Sequence, residues 1–332
     1  MRKQQREVPK FRGVTLVDYD SIRRVAAAAS SGHQQHEMQQ VSSEKLSFSS
    51  FLPSIWEPFR VTCCCDGILC IALWNCLFLW NPYTNDYKRL PFPNPDPQFD
   101  PVYPLKEWEA FGIGYDSSID DYKLVRVPSH GSYGANDSIL YVVTLKSNLW
   151  RKIDMNFPYV VNEGEQAIPA DGHSYWRAES PQTSNKVLIG FDLAKETFSE
   201  VTMPPNTDNV QELGVLGGFI SLAIYNKCND YFDIWIMKEQ TWIHFVSFPL
   251  SSYKGPGSID RLRPLFFNQD GALVMHASPF FDEVWCKERD CYIKILTGIG
   301  LIYHSKAGTC KLFQVVGNCG EVFIYTQSIV SL

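Results

Sequence analysis

No apolar run in this chain approaches the roughly 18–20 residues that a membrane-crossing helix needs. After residue 50, no stretch of a dozen residues places apolar side chains at the i, i+3, i+4, i+7 spacing of an amphipathic helix. A basic excess is missing too: 30 Lys and Arg stand against 36 Asp and Glu, a net charge of −6. Nucleic-acid binding is therefore not expected, because neutralising phosphates takes clustered Lys and Arg. The basic N-terminus is followed by no apolar segment of a secretory signal. The ten cysteines lack paired Cys-x2-Cys spacing, so reduced thiols in the cytosol or nucleus are expected, and no metal site. No Gly-x-Ser-x-Gly elbow occurs, and the Gly112-x-Gly114 and Gly217-Gly218 pairs lack the strand-to-helix setting of a phosphate loop. The expectation is no catalytic centre and no cofactor.

What is present is a recurring phrase. Cys65–Pro91 opens with the turn Asp66-Gly67, climbs through Ile68–Leu73 and Cys76–Trp80, breaks at Asn81-Pro82 and returns through Tyr87-Lys88-Arg89-Leu90. Pro82 keeps Asn81 out of the α region, and short apolar runs bounded by turn residues read as strands covered on both faces. The phrase returns at Ile139–Ile153, Val187–Val201, Phe232–Phe245 and Leu301–Val316. Its leading aromatics, Tyr87, Trp150, Phe198, Trp242 and Phe313, are spaced by 63, 48, 44 and 71 residues. Two gaps match the roughly 40–50-residue period of propeller blades. Ala110–Tyr115, Tyr122–Val127, His173–Arg177, Leu216–Tyr225 and Ala272–His276 supply further strands, while Pro91–Pro104 and Pro249–Pro264 read as loops. The fold class is all-β, a β-propeller of five to seven blades.

Residues 1–47 differ in texture. Seven Lys and Arg in the first 24 residues lead into Ala26–Ala29 and the Gln- and His-rich Ser30–Gln40. So polar a tract cannot offset its ordering entropy, so the expectation is a disordered tail, with a short helix at most over Ile22–Ala29, and a globular domain over 48–332.

The phrases themselves resemble a known family. Cys65–Ile71 (CDGILCI) and Leu79–Pro91 (LWNPYTNDYKRLP) are similar to the two opening motifs of the plant F-box associated domain. Phe111–Val127, Val142–Ile153, Val187–Phe198, Leu213–Leu222, Asp233–Glu239 and Tyr325–Leu332 continue in that family's order. The resemblance implies a kelch-like propeller that binds a target protein for an SCF ubiquitin ligase, beside an F-box that docks the Skp adaptor. Residues 1–47 contain no Leu-Pro start, no Trp and no Cys, and so no recognisable F-box. The expectation is a protein-recognition half that reaches Skp and cullin only if an F-box is supplied elsewhere. One alternative is a decoy or regulator of related F-box proteins; another is a carbohydrate-active or carbohydrate-binding propeller working through Asp120, Asp121 or Glu283. Neither nucleic acid nor membrane is an expected partner, and the localisation expected is cytoplasmic or nuclear.

Candidate partner contacts are loop aromatics, because Tyr and Trp bury large area at low entropic cost. Tyr103 and Trp108 flank the first Pro-rich loop, Tyr133 lies between Gly131 and Gly134, and Tyr253 precedes Lys254-Gly255-Pro256-Gly257. Cys63, Cys64, Cys65, Cys70 and Cys76 read as buried thiols acting as small hydrophobes. Cys286 and Cys291 could meet across a hairpin, and Asp116, Asp120 and Asp121 read as turn formers.

Overall fold

A computed structural model describes residues 13–18, 39–41, 44–45, 59–73, 76–91, 110–127, 140–155, 157–161, 165–180, 182–183, 185–204, 210–254, 259–267, 271–279, 283–286, 291–294, 298–304, 308–315 and 319–325. Three short strands come first: β1 (Gly13–Asp18), β2 (Gln39–Val41) and β3 (Glu44–Lys45). The first four-stranded sheet follows in sequence order, β4 (Phe59–Cys65), β5 (Ile68–Leu73), β6 (Cys76–Asn81) and β7 (Asp86–Leu90), all antiparallel. The second comprises β8 (Ala110–Asp116), β9 (Asp121–Val127), β10 (Leu140–Thr144) and β11 (Arg151–Ile153).

In the third sheet the first strand is broken into β12 (Val160–Val161) and β13 (Ile168–Ala170). Both pair with β14 (His173–Glu179), which continues to β15 (Lys186–Asp192) and β16 (Thr197–Val201). The fourth is β17 (Val210–Leu216), β18 (Phe219–Asn226), β19 (Tyr231–Lys238) and β20 (Thr241–Pro249), closed by a 3-10 turn over Leu250–Ser252. The fifth joins β21 (Ile259–Phe267) and β22 (Leu273–Pro279) to β25 (Gly298–His304) and β26 (Thr309–Val315), with the hairpin β23 (Glu283–Cys286) and β24 (Cys291–Lys294) between them. A last strand, β27 (Cys319–Tyr325), pairs with β1, which pairs with β3, while β2 extends the fifth sheet along β26.

The described residues thus form five successive sheets of four or five strands, a further sheet of three and the separate two-stranded β23–β24 sheet, an all-β architecture. Strands from both ends of the chain share two of the sheets, so residue 47 does not divide an unpaired tail from a folded body. Gly13–Asp18 carries the largely apolar and β-branched run Val14, Thr15, Leu16 and Val17, residues that favour a strand. The average polarity of the tail masked that local pattern. The helix expected over Ile22–Ala29 lies outside the described residues.

Burial grades outward across the first four sheets. The second strands are almost wholly buried, as in β9 and β18, whereas the fourth strands β7, β11 and β16 are mostly exposed. One apolar cluster runs through the first three sheets, from Cys63, Ile68 and Leu79 through Phe111, Ile113 and Leu124 to Trp176, Ile189 and Phe191. Close packing dictates glycine at particular points. A Cβ at Gly112 would lie 2.3 Å from the ring of Trp176, itself fully buried, and one at Gly214 would lie 2.4 Å from the Pro264 carbonyl oxygen.

The recurring hairpins share one turn chemistry. The side-chain oxygens of Asn81, Asp116, Asp192 and Asn226 accept from backbone N–H groups two residues on. Each of these turns then closes on a left-handed residue: Asn85 at φ 59°, Asp120 at 51°, Glu196 at 56° and Asp230 at 60°. Asn and Asp are suited to both positions because their short side chains bond locally and tolerate positive φ.

Two sequence expectations are corrected. Leu216–Tyr225 is not one strand: Gly217 and Gly218, at φ 61° and 85°, turn β17 back into β18, a pair of positive φ values that glycine adopts without strain. Nor is Pro249–Pro264 all loop, since β21 begins at Ile259 and contains Pro264. A register shift between Pro264 and Phe266, on a strand that opens its sheet, accommodates the missing N–H.

Candidate functional site: the loop face and its charged axis

Because each sheet is antiparallel in sequence order, its first and third turns leave by one edge. The second turn, and the connection to the next sheet, leave by the opposite edge. Hydrogen bonds between sheets hold the turn edges together: Tyr122 Oη donates to Asp66 Oδ2 (3.0 Å), and Lys88 Nζ to Leu145 O (2.5 Å). The opposite edge, the loop face, receives the connections 91–109, 128–139, 250–258 and 280–297.

All four candidate aromatics belong to segments anchored on that face. Tyr103, Trp108 and Tyr133 lie outside the described residues, and only their flanking strand ends are placed. Tyr253 is described and is half-buried: it packs with Phe219, Tyr225 and Leu250 against a core containing Phe232 and Leu262, and burial raises its phenol pKa. It sits half-buried at the base of its connection.

Toward the same face, first strands from successive sheets carry a cluster of charges that the sequence did not reveal. Glu212 on β17 is buried, its side chain 6% exposed, and Oε2 accepts from Arg263 on β21 at 2.9 and 3.3 Å. Arg261 Nη1 approaches Glu212 Oε1 at 3.6 Å. Between β12 and β13 the first strand of the third sheet is interrupted, and beside that break Arg177 on β14 grips Glu165. Its Nε and Nη2 donate to the two carboxylate oxygens at 2.7 and 2.9 Å, the bidentate geometry that makes Arg–carboxylate pairs strong.

Burial alone would raise the Glu212 pKa, but Arg263, Arg177 and Arg261 outweigh it and hold the carboxyl below its ordinary value. Arg263 faces His276 across the β21–β22 pair. His276 Nε2 is buried without a hydrogen-bond partner, and burial, reinforced by Arg263, lowers the imidazole pKa to about 4. Cys64 is also within reach: burial pushes its thiol up to about 11 against the opposing pull of Arg263. The residues lie far apart in sequence, and only the packing of β17 against β21 and of β13 against β17 unites them. The detectable signal was the charged run Asp260, Arg261 and Arg263 at the start of a segment that ends apolar in Leu265-Phe266-Phe267.

The other residues singled out from sequence have structural employment. Asp116 bonds Ser118 and pairs with Lys123 at 2.7 Å, Asp120 accepts from Tyr115 Oη, and Asp121 accepts the backbone N–H groups of Tyr122 and Lys146. These acids close turns on the edge opposite the charged cluster. Cys63 and Cys70 are buried cross-strand neighbours, and Arg89 donates to Cys76 Sγ. Cys286 and Cys291 are directly opposite in the β23–β24 hairpin, as their spacing suggested. Gly112 and Gly114 mark close packing against Trp176 and Leu193. Among the described residues, no three His, Cys, Asp or Glu side chains are placed to hold a metal ion, and no helix is long and apolar enough to cross a membrane.

Comparison with known proteins fits this architecture. An F-box/kelch-repeat protein of Arabidopsis thaliana is 28% identical over 225 residues, which cover 65% of this chain and 58% of that protein. The Arabidopsis F-box protein CPR1 is 26% identical over 226 residues, covering 60% of this chain and 54% of its own. The chain therefore spans little more than half the length of these relatives. Among solved structures, TolB from Acinetobacter baumannii aligns with a TM-score of 0.44 at 9% identity, over 78% of this chain and 54% of TolB, a likeness too low to bear on the assignment. The profile of the F-box associated beta propeller domain matches residues 15–332. The chain belongs to the F-box associated beta propeller domain family.

Proposed function

We propose that this chain is a non-catalytic recognition body: its loop face binds a target protein, in the manner of the substrate-binding part of an F-box ubiquitin ligase subunit. One observation carries the reading. The face that receives the connections 91–109, 128–139, 250–258 and 280–297 is also the face toward which three guanidinium groups converge around the buried Glu212 and Glu165. Long connections held on a rigid scaffold are where binding residues concentrate, and Arg is among the side chains that dominate protein interfaces. The relatives' names as F-box proteins support the ligase context. Contact with Skp and cullin belongs to the proposal only through an F-box, and residues 1–47 carry no such pattern. A decoy role, in which target is held without ligase, follows if no F-box is joined to this domain. The cytosol or nucleus is the proposed location, supported by the free thiols of Cys63, Cys64, Cys65, Cys70 and Cys228.

Purified chain mixed with the Skp adaptor, and separately with plant extract followed by mass spectrometry, tests the reading. The recognition role predicts recovery of a reproducible protein partner. Adaptor binding in the same experiment separates ligase subunit from decoy. Failure to retain any protein that an F-box-bearing relative retains contradicts the proposal.

A further inference from the structure

We propose that Cys63 and Cys70 form an oxidation site: under sustained exposure to peroxide the two thiols close to a disulfide that latches β4 to β5 inside the first sheet. This site stands apart from the recognition reading, and either can fail without the other. Its ground is the register. Cys63 lies directly opposite Cys70 across the antiparallel β4–β5 pair, whereas Cys64, Cys65 and Cys76 lie opposite Leu69, Ile68 and Leu73. Directly opposite residues hold their Cα atoms about 4.5–5.5 Å apart, within the roughly 4.4–6.8 Å that a disulfide spans. The Cys63 and Cys70 thiols already hydrogen-bond to one another. Closing the bond therefore needs a short approach of two sulfurs and no rearrangement of the strands.

A bulge builds the pair. The register shifts between Val61 and Cys63, and Thr62, the residue so inserted, is buried. Its Oγ1 donates to Cys70 O at 3.3 Å and lies 3.7 Å from Cys63 Sγ. One hydroxyl thus sits between the two cysteines, where it can also donate to a Cys63 thiolate, which makes Cys63 the attacking thiol. Cys63 and Cys70 are 1% and 0% exposed, and burial holds the Cys63 thiol well above its ordinary pKa. The thiolate is the reactive form, so oxidation is slow, and neither sulfur is open to a molecule as large as glutathione. In a reducing compartment the pair stays as thiols through brief oxidation. Once closed, the buried bond resists glutathione for the same reason.

The chemistry balances with hydrogen peroxide as oxidant. The Cys63 thiolate attacks one peroxide oxygen, giving a sulfenic acid and a hydroxide that leaves as water with the thiol's proton. Cys70 then attacks the sulfenic sulfur. The S–S bond forms, the S–O bond breaks, and the hydroxyl leaves as a second water with the Cys70 proton. Two thiols lose two electrons in all, and one peroxide becomes two waters.

The test treats the full chain with millimolar hydrogen peroxide for several hours and quenches with catalase. The protein is then unfolded in urea with iodoacetamide and digested with trypsin. Peptide 61–88 contains five cysteines. All five should be alkylated in untreated protein. After oxidation three should be alkylated, with the peptide lighter by two hydrogens at the other two, and dithiothreitol before alkylation should restore five. Cys63→Ala and Cys70→Ala should each keep their four remaining thiols alkylatable, whereas Cys64→Ala should still lose two; thermal melts confirm that each variant folds. The closed bond should raise Tm by about 5 °C, and dithiothreitol should reverse the rise.

Five alkylated cysteines after treatment overturn the proposal, as does a sulfinic acid at Cys63 or Cys70 in place of the bond. Loss of two thiols in Cys63→Ala or Cys70→Ala assigns the bond to another pair and overturns it equally. A bond that forms without raising Tm refutes the latch.

Discussion

Trp150 donates its indole Nε1–H to the carbonyl oxygen of Pro91 at 2.5 Å, tying the start of β11 to the chain just beyond β7. Trp242 repeats the arrangement one pair of sheets later, donating to Thr202 O at 2.5 Å, and Ser252 Oγ donates to Gly308 O at 3.4 Å at the following seam. The leading aromatic of the repeated phrase thus serves as a tie between sheets as well as a filler within one. Trp150→Phe keeps most of the ring and removes the donor. It should cost about 1 kcal/mol and lower Tm by about 2–4 °C in a domain of this size. An unchanged melting curve would mean that the seam does not depend on this bond.

Lys123 is the costlier tie. Its ammonium, 5% exposed, meets Asp116 Oδ2 and Glu196 Oε1 at 2.7 Å and donates to Leu193 O at 2.6 Å, one contact within the second sheet and two across the seam to the third. Lys123→Met leaves Asp116 buried opposite no cation and should destabilise by about 3–5 kcal/mol in urea unfolding. Adding Asp116→Asn should restore part of that loss. A double variant no more stable than the single one would refute the pairing.

Gly112→Ala drives a methyl into the indole of Trp176, and Gly214→Ala drives one into the Pro264 carbonyl, a backbone atom that cannot rotate aside. Overpacking of this kind should cost about 1–3 kcal/mol. Gly172→Ala meets no neighbouring atom but sits at φ 69°, so its cost comes from backbone strain alone, about 1 kcal/mol. Chemical denaturation of the three variants should rank Gly172→Ala the mildest.

Acid should weaken the fold in two stages. Burial lowers the His276 pKa to about 4, so the unfolded chain takes up that proton first; stability is full above about pH 6.5 and falls as the pH drops toward 4. Burial would raise the carboxyls of Asp116, Glu196 and Glu212, but Lys123, Arg151 and Arg263 prevail and hold them below their ordinary values. Their contribution is present above about pH 4 and is lost as the pH falls through the lower folded values. Urea midpoints measured from pH 7 to pH 3 should show both stages, and His276→Gln should remove the upper one, worth about 1.4 kcal/mol per pH unit at its steepest. Identical profiles for the variant and the natural protein would exclude His276 as the source.

The strands were legible because their apolar runs are short and bracketed by turn residues, as in Ile68–Leu73 and Cys76–Asn81 against Asp66-Gly67 and Asn81-Pro82. The two-glycine turn inside Leu213–Leu222 was missed because continuous apolar residues on both sides mimic one long strand. Likewise, Gly13–Asp18 was hidden by its basic, charge-rich surroundings. The charged axis was not legible, since Glu165, Arg177, Glu212 and Arg263 span nearly a hundred residues and meet only through packing between sheets. Periodicity reports which face of a strand is covered, and it carries no information about which distant strand covers it.

The central claim, that a partner is gripped on the loop face, is tested most directly by lysine-directed cross-linking of a captured partner followed by mass spectrometry. Lys186, Lys227 and Lys254 are exposed at the loop face, and Lys146 and Lys195 are exposed at the turn edge. Cross-links at Lys186, Lys227 or Lys254, with Lys146 and Lys195 remaining as reactive as in the free protein, are the predicted result. Cross-links concentrated at Lys146 and Lys195 would contradict it.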